Sequence, residues 1–259
     1  MTSDLPTPGI LFDHARRARI GLPEAVFCQG KPMENLRELF HGFGRGKDRP
    51  ILFTRLEPEV FGALEEQVRE LYDYDPVSRT AWGEKLPLSP LKARVAIVSG
   101  GTADASVARE AARTLEYLGF TATLFEDSGV AGLWRLAGAL EEINRHQVVI
   151  VVAGLDAALA SVLGGLTPRP VIAVPTSVGY GLARHGESAL ASMLVSCSPG
   201  VSVENIDNGY GAACAAARIL NLMAAEAGIG LPGTGGGPDP HGDALPKPGQ
   251  TRGPKAGQV

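Results

Sequence analysis

Five consecutive β-branched residues at 148–152, Val-Val-Ile-Val-Val, constrain the fold of this chain more than any other stretch. A run this short and this apolar has no polar side, so it predicts a strand that is covered on both faces. Strands of that kind occur in parallel sheets with helices packed above and below them. The surrounding sequence should therefore alternate such strands with amphipathic helices.

The sequence does alternate in this way from residue 93 to about 228. Short β-rich runs predict three further strands, at 95–98, 121–125 and 171–174. Ala-rich amphipathic segments predict helices at 106–118, 132–144, 155–163, 189–195 and 211–225. This alternation predicts an α/β fold, an open parallel sheet with helices on both faces.

Two other zones flank this core. Residues 1–92 are charged and irregularly patterned, and they predict a smaller α+β region that ends in a linker, Lys-Leu-Pro-Leu-Ser-Pro at 85–90. Residues 229–259 are rich in Gly and Pro and too poor in apolar side chains to fold, so we predict a disordered tail there. The expected division of the chain is 1–92, 93–228 and 229–259.

Charge and cysteine content narrow the class of protein. The formal net charge of -4 provides no broad basic field, so nucleic acid is not an expected partner. No apolar run reaches the roughly 18 residues of a membrane span, and the first residues lack a signal-peptide pattern, so we expect a cytoplasmic protein without a membrane partner. Cys28, Cys197 and Cys214 are too unevenly spaced for a disulfide framework or a zinc site.

Polar and glycine-rich segments follow each of the four predicted strands. Ligands of open parallel sheets bind beyond the carboxyl ends of the strands, so these segments predict a small-molecule site. The first of them, Ser-Gly-Gly-Thr-Ala-Asp at 99–104, suits a phosphate, although a helix cap by Thr102 or Asp104 explains the same residues. The candidate residues are Ser99, Gly100, Gly101, Thr102, Asp104, Asp127, Asp156, Ser177, Gly179 and Tyr180.

Cys197 is the candidate nucleophile. It lies in Ser-Cys-Ser-Pro-Gly-Val at 196–201, shortly before Asn-Ile-Asp-Asn-Gly-Tyr-Gly at 205–211. A thiolate is a strong nucleophile near neutral pH when it is exposed in a polar or cationic setting. The alternative is a small buried hydrophobe, the usual state of an intracellular cysteine. We expect Cys197 to lie at the same end of the sheet as the strand-end residues.

These motifs together resemble the LarB family, the carboxylase/hydrolase that opens nickel-pincer cofactor synthesis, whose core domain is similar to PurE, the aminoimidazole ribonucleotide carboxylase mutase. The resemblance spans residues 13–222. It is carried by Asp-His-x-x-Arg at 13–17, Gly-x-Pro-Glu-x-x-Phe-x-x-Gly-Lys at 21–31, Thr-Arg-Leu at 54–56, Ser-Gly-Gly-Thr-x-Asp at 99–104, Gly-Val-Ala-Gly at 129–132, Val-Pro-Thr-Ser-Val-Gly-Tyr-Gly at 174–181, Ser-Cys at 196–197 and Asn-Ile-Asp-Asn-Gly-Tyr-Gly-Ala at 205–212.

The resemblance implies a specific reaction. Members of the family carboxylate the pyridinium ring of nicotinic acid adenine dinucleotide at C5, cleave the phosphoanhydride and release AMP. CO2 or bicarbonate is then the co-substrate, and Mg²⁺ is implied for the phosphoanhydride step, with no ligand set visible in the sequence. The resemblance also implies a homo-oligomer, an octamer in relatives with this core.

The resemblance also implies roles for individual residues. Cys197 matches the family's nucleophile, and Asp156 stands where the family generally has a glutamate, the expected base. Ser99, Thr102 and Asp104 match the nucleotide-binding loop, and Asn208 belongs to the matching segment after Cys197. Further substrate contacts are expected from two basic residues of the first zone, although a solvated helix face explains the first equally well; these residues are Arg17 and Lys31.

Three departures from the family pattern surround this site. Asp156 is one methylene shorter than glutamate, Trp134 replaces a histidine, and Arg184 with His185 interrupts an apolar, glycine-rich stretch. They leave three hypotheses open: a LarB-type carboxylase/hydrolase, a PurE-like carboxylase or mutase acting on an imidazole ribonucleotide, and a paralogue that binds a pyridine nucleotide without turnover.

Overall fold

The chain forms two β-sheets that follow one another in sequence. The structure, a computed structural model, describes residues 11–44 and 50–229. The predicted tail at 229–259 therefore lies outside the described residues from position 230 onward. Among the described residues, no helix is both long and apolar enough to cross a bilayer.

The first unit is a small α+β region around a mixed four-stranded sheet in the order β1-β2-β4-β3. Its strands are β1 Ala25–Phe27, β2 Leu52–Thr54, β3 Asp73–Asp75 and β4 Thr80–Trp82. Its helices are α1 Arg16–Ile20, α2 Met33–Gly42, α3 Pro58–Gly62 and α4 Glu66–Arg69. β1 and β2 are parallel, so both strands end on the same side of this sheet.

The second unit is a five-stranded, wholly parallel sheet in the order β6-β5-β7-β8-β9. Its strands are β5 Arg94–Ser99, β6 Thr121–Phe125, β7 Val148–Ala153, β8 Val171–Pro175 and β9 Val201–Val203. Its helices are α5 Ala105–Tyr117, α6 Leu133–Ile143, α7 Ala158–Gly164, α8 Glu187–Leu194 and α9 Gly209–Glu226. β7 is buried along its whole length, as the apolar run at 148–152 predicts.

Each face of the parallel sheet is covered by its own set of helices. Val95 and Ile97 pack with α5 and α9 on one face, whereas Ala96 and Val98 pack with α6, α7 and α8 on the other. The alternation of neighbouring β5 residues between the two cores is the period-two pattern of a strand buried on both sides. The predicted α/β class, with a smaller α+β region before it, is confirmed.

The two units share a packed interface along α5. Trp82, the last residue of β4, belongs to the same buried cluster as Val95 and Ile97 of β5. The guanidinium of Arg113 on α5 lies 3.7 Å from the centroid of the Trp82 ring, a cation–π contact worth about 0.5–2 kcal/mol. The first unit is therefore held against the helix whose amino end begins at the strand-end loops.

One strand was not predicted. β9, Val201–Val203, pairs in parallel with the first half of β8 and completes the sheet. Its three residues lie directly after a Pro-Gly turn and offer too short a pattern for recognition. This strand decides where Cys197 lies.

Candidate active site at the strand ends

The parallel sheet has a topological switch point between β5 and β7. The chain leaves β5 toward α5 on one face of the sheet and leaves β7 toward α7 on the other. Diverging loops open a crevice at the carboxyl ends of these two strands, the usual binding position in such sheets. Gly100 borders the crevice from β5, with Ala153 of β7 directly beside it.

Left-handed backbone at non-glycine residues concentrates around this crevice. A residue of this kind follows each of β6, β7, β8 and β9, with φ between 47° and 55°: Asp127, Leu155, Ala157, Arg184, His185 and Asp207. Each such conformation costs roughly 1–3 kcal/mol and persists only where the surroundings impose it. Backbone strain of this kind is characteristic of functional sites, and here it marks the strand-end loops.

Asp104 is a buried carboxylate at the start of α5. One oxygen accepts a hydrogen bond from Thr176 Oγ1 at 2.6 Å, and the other accepts from the Gly101 amide at 2.9 Å. Burial is the main reason that the pKa of Asp104 is raised, although both hydrogen bonds act to lower it. Asp104 therefore ties the loop after β5 to the loop after β8, and both of its oxygens are engaged within the protein.

Ser99 completes a polar floor beneath these loops. Its side chain is 1% exposed, and its Oγ has no hydrogen-bond partner among the described residues. A buried hydroxyl without a protein partner is uncommon, and an ordered water commonly satisfies such a group. The Ser99 carbonyl accepts from the Ser128 amide at 2.8 Å, which joins the β5 and β6 loops.

Three further predicted residues, in the loops after β5, β6 and β7, differ in whether their side chains are engaged within the protein. Asp127 forms an ion pair with Arg135 at 2.6 Å, so its carboxylate faces a cation of its own loop. Thr102 opens a short 3-10 helix, Thr102–Asp104, that leads into α5. Asp156 is exposed, and one of its oxygens accepts from the Ala158 amide at 3.3 Å, leaving the other open to solvent.

The loop after β8 contributes backbone and an aromatic ring. The Ser177 amide donates to Asp207 Oδ1 at 2.8 Å, and Gly179 adopts a φ of 146°. The Tyr180 ring is 88% exposed. Trp134, at the start of α6, is 77% exposed at the same end of the sheet. Two exposed aromatic rings thus lie on the loops at this end of the sheet.

Asn208 caps a helix at this end of the sheet. Its side chain is the cap of α9, accepting from the Gly211 amide at 2.9 Å, as Asn commonly does at a helix start. Its amide nitrogen donates to Glu204 at 3.4 Å. The contacts that the structure shows for Asn208 therefore hold the loop itself.

The expectation that Cys197 shares this end of the sheet is wrong within one chain. Cys197 lies in the loop before β9, and Val201 of β9 pairs with Val171, the first residue of β8. The loop rests on α7, where Ser196 Oγ lies 2.7 Å from Ser161 Oγ and Ser198 donates to the Ser161 carbonyl. Since all strands are parallel, the cysteine lies at the amino end of the sheet and Asp156 at the carboxyl end.

Cys197 nonetheless differs from the other two cysteines. Its side chain is exposed, whereas Cys28 is buried and Cys214 is half-buried. Burial raises the pKa of Cys28 to about 12 and that of Cys214 to about 11, so both thiols are protonated near neutral pH. Cys197 is thus the cysteine of this chain that an external reactant can reach.

Arg17 also lies away from the strand ends of its own chain, and its expected contact with the nucleotide stays a prediction. It lines a small cavity with Asn221, Leu118 and Phe120, at the amino end of the parallel sheet. Its pKa is lowered, chiefly by burial. Lys31 is exposed in the loop after β1, at the side of the four-stranded sheet where β2 also ends.

Three residues at the strand ends escaped the sequence analysis: Arg55, Glu110 and Thr176. Glu110 left a signal, because a glutamate at that position interrupts the apolar face of the predicted helix at 106–118. Arg55 lies in the Thr-Arg-Leu motif, which carried no assigned role. Thr176 lies in the glycine-rich loop after β8, where the sequence predicts site residues only at Ser177, Gly179 and Tyr180.

The described residues show no cluster of metal-ligating side chains. No group of three or more His, Cys, Asp or Glu side chains among them is arranged to hold a metal ion. Both oxygens of Asp104 are used within the protein, and Asp127 is paired with Arg135. Because Mg²⁺ is usually held by one or two carboxylates together with substrate phosphates, the expectation of Mg²⁺ stays a prediction.

Comparison with known proteins gives a consistent set of similarities. Residues 94–229 match the family model described as AIR carboxylase, and residues 10–85 match the model of a LarB/PurE-like N-terminal domain. An uncharacterized protein of Methanocaldococcus jannaschii is 36% identical over 221 residues, which cover 82% of this chain and 84% of that protein.

Two relatives carry functional names. The N5-carboxyaminoimidazole ribonucleotide mutase of M. jannaschii is 36% identical over 133 residues, 49% of this chain and 79% of the mutase. A probable mutase of the same name from Methanothermobacter thermautotrophicus is 30% identical, covering 84% of this chain and 62% of the relative. The solved structure of Treponema denticola PurE has a TM-score of 0.45 at 23% identity, covering 52% of this chain and 84% of PurE.

Proposed function

Since the chain belongs to the AIR carboxylase family, we propose that it adds a carboxyl group to an aromatic ring carried by a nucleotide, at the strand-end site. Within that chemistry we propose the LarB-type reaction, carboxylation of nicotinic acid adenine dinucleotide at C5 followed by release of AMP. The observation that carries the proposal is the pairing of a LarB/PurE-like N-terminal domain at 10–85 with an AIR carboxylase core that exposes Cys197.

The reaction needs a nucleophile because a pyridinium ring is electron-poor and does not attack CO2. In the proposed sequence the Cys197 thiolate adds to the ring, forming a C–S bond and a dihydropyridine. The enamine carbon of that adduct attacks CO2 and forms a C–C bond. Asp156 removes the proton from the same carbon, the electron pair restores the aromatic ring, and the C–S bond breaks to regenerate the thiolate.

The remaining step cleaves the dinucleotide. Water attacks the phosphoanhydride, AMP leaves, and pyridinium-3,5-biscarboxylate mononucleotide is the product. The glycines at 100 and 101 and the start of α5 are suited to the phosphates, because a helix amino end and close backbone approach favour anions. The exposed rings of Trp134 and Tyr180 offer flat surfaces to the pyridinium or the adenine.

This mechanism requires two copies of the chain. Cys197 and Asp156 lie at opposite ends of one parallel sheet, so we propose that the cysteine loop of one copy completes the strand-end site of another. Apolar surface supports such a contact at both places. Val195 beside Cys197 is 79% exposed, and the strand ends expose Leu133, Leu155 and Leu182. A homo-oligomer, such as the octamer expected from the resemblance, supplies the second copy.

A second candidate function is carboxylation or carboxyl transfer on an aminoimidazole ribonucleotide. The two relatives named N5-carboxyaminoimidazole ribonucleotide mutase favour it. An aminoimidazole carbon is already electron-rich, so that reaction needs no thiolate adduct. Under this function Cys197 has no role in the chemistry, and its replacement leaves the rate unchanged.

Product analysis distinguishes the two. Purified protein is incubated with Mg²⁺, bicarbonate and either nicotinic acid adenine dinucleotide or aminoimidazole ribonucleotide, and the products are identified by mass spectrometry. The proposal expects AMP and a mononucleotide heavier by one carboxylate from the dinucleotide only. Turnover of the imidazole nucleotide alone contradicts it. Tight binding of the dinucleotide without product, retained in Trp134→His, favours the non-catalytic paralogue.

A further inference from the structure

Glu110 is a buried carboxylate on the apolar face of α5, at the junction of the two units. Its side chain is 4% exposed. Oε1 accepts from Thr54 Oγ1, at the end of β2, and from Arg55 Nε at 3.2 Å. Oε2 accepts from the Tyr210 amide in the first turn of α9 at 3.2 Å. One carboxylate therefore binds the N-terminal unit, α5 and the start of α9 together.

Arg55 extends this link to the strand-end loops. Its backbone is left-handed, with φ 55°. While Nε pairs with Glu110, Nη2 donates to the carbonyl of Asp207. A forked guanidinium makes two such contacts at once, which an ammonium group on a single stem does not reproduce.

Asp207 passes the constraint on to the site. Its Oδ1 accepts from the Ser177 amide at 2.8 Å, and its own amide donates to the Pro175 carbonyl at 2.8 Å. Its φ of 55° is unfavourable without such contacts. A shift of the Asp207 carbonyl thus changes the position of the loop that carries Ser177, Gly179 and Tyr180.

The first turn of α9 is closely packed against α5 beside Glu110. A Cβ added to Gly209 would lie 3.0 Å from the Ala111 amide nitrogen and from Glu110 Oε2, and closer still to the Val107 carbonyl. The first turn of α9 is therefore seated directly on α5. Tight seating of this kind transmits a displacement at Glu110 to Asn208 and Asp207 instead of absorbing it.

We propose that Arg55 and Glu110 are positioning residues through which the N-terminal unit fixes the strand-end loops for catalysis. This rests on the proposed function in one respect only, since its catalytic readout uses the carboxylation. The N-terminal unit then acts on the chemistry without touching the substrate through either residue. Misplacement of reacting groups by about 1 Å costs on the order of 10²-fold in rate, which sets the size of the expected effect.

Arg55→Lys and Glu110→Gln test the proposal, because both keep the size of the side chain. Each should lower kcat/KM by about 10- to 100-fold, through kcat more than through KM, since misplaced loops impair the reacting geometry. The double variant should lose little more than either single variant, because both break the same link.

Arg113→Lys is the matched control. Arg113 also joins the units, donating to Thr80 and Asp73 and stacking on Trp82, but within the described part of the chain it forms no hydrogen bond or ion pair with a strand-end loop. It should lower the melting temperature while leaving kcat/KM within about twofold of wild type. Loss of activity in proportion to lost stability in all three variants overturns the positioning role.

Hydrogen exchange of the backbone supplies a readout that does not depend on any reaction. Arg55→Lys and Glu110→Gln should speed exchange in peptides covering 204–211 and 176–181, and Arg113→Lys should not. Unchanged exchange in those peptides refutes the positioning role whatever the substrate is. Faster exchange together with a wild-type protein that is inactive on the dinucleotide refutes the proposed function and leaves the positioning role standing.

Discussion

The two ends of the parallel sheet are built in opposite ways. At the carboxyl end, four loops carry left-handed residues, buried polar groups and glycines without room for a side chain, and hydrogen bonds join each loop to the next. At the amino end, the Cys197 loop is fixed to α7 by two serines and otherwise exposes apolar side chains. The first end is organised within the chain, whereas the second presents a reactive group outward.

Under the proposed function, this difference means that Cys197 and Asp156 do not meet in one chain. A preorganised pocket holds its own geometry, because its strain and buried contacts support one another. An exposed thiol on a braced loop is suited to entering a site that it does not itself form. Substitutions at each end of the sheet test this difference.

Complementation between two inactive variants tests whether the active site is formed by two copies of the chain. Cys197→Ala and Asp156→Ala should each be inactive in carboxylation of the dinucleotide. Co-expressed in equal amounts, they should recover about a quarter of the wild-type rate, because random assembly gives that share of sites both native groups. The rate of dinucleotide carboxylation is measured in the purified mixed oligomer.

One outcome of this experiment contradicts the two-copy site. If the mixed oligomer stays inactive while a mixture of wild type with either variant is active, both groups come from one chain. The site is then complete within one chain, and the separation of the two ends of the sheet does not enter the mechanism.

Replacing glycines by alanine at each end of the sheet measures how rigid that end is. In Gly154→Ala the added methyl would lie 2.7 Å from Thr176 Oγ1 and against the Val178 carbonyl, so we expect a loss of about 2–3 kcal/mol in the free energy of unfolding. In Gly164→Ala, at the amino end, the added methyl would lie 2.9 Å from Ser198 Cβ and from a Val201 methyl. These atoms belong to the Cys197 loop and to the edge strand β9, which have fewer neighbours to hold them in place, so a loss of about 1 kcal/mol is expected.

Gly138→Ala is the control for both replacements. Gly138 is exposed in α6 and has nothing within 4 Å of an added Cβ, so alanine should stabilise the helix by about 0.5–1 kcal/mol. Denaturant unfolding measures all three variants. Equal losses for Gly154→Ala and Gly164→Ala argue against a more rigid carboxyl end.

The smallest effect is a pH dependence at the carboxyl end. Burial raises the pKa of Asp104, so the folded protein binds this proton more tightly than the unfolded chain does. The free energy of unfolding therefore falls as pH rises from the ordinary aspartate range through the folded pKa. Asp104→Asn should remove that fall when unfolding is measured across this range.

Asp75 in the N-terminal unit provides the opposite sign. Burial acts to raise its pKa, but hydrogen bonds from the side chain and amide of Ser78, with smaller contributions, leave the pKa lowered. Stability from Asp75 is therefore present above the ordinary aspartate pKa and is lost as pH falls. Asp75→Asn should flatten the acid side of the profile, and an identical response of both variants contradicts the assignment of Asp104.

The sequence is sufficient for most of the sheet because each long strand has its own pattern. The runs at 95–98, 121–125, 148–152 and 171–174 all lie within observed strands. The helix after β7 begins at Ala158 instead of 155, because Leu155 and Ala157 take left-handed backbone. Such a conformation is imposed by tertiary contacts and leaves no trace in local propensity.

The misplacement of Cys197 has a single physical cause. Without β9, Cys197 and the Asn-Ile-Asp-Asn segment read as one continuous loop. A three-residue strand spans about 10 Å, enough to carry the chain from one end of the sheet toward the other. Arg55 and Glu110 were missed for a related reason, since they lie 55 positions from each other, and their further partners lie 152 positions from Arg55 and 100 from Glu110, so no local pattern records these contacts.

The contact between Arg55 and Asp207 also orders events during synthesis. Arg55 leaves the ribosome 152 residues before Asp207, a delay of roughly 8 to 30 seconds at ordinary elongation rates. Glu110 follows Arg55 by 55 residues, so Arg55 Nε lacks its partner only in the first part of that interval, whereas Nη2 lacks the Asp207 carbonyl throughout it. We expect the nascent unit to stay only partly folded until α9 emerges, so that closure of the two units and completion of the strand-end loops are the same event in the life of each molecule.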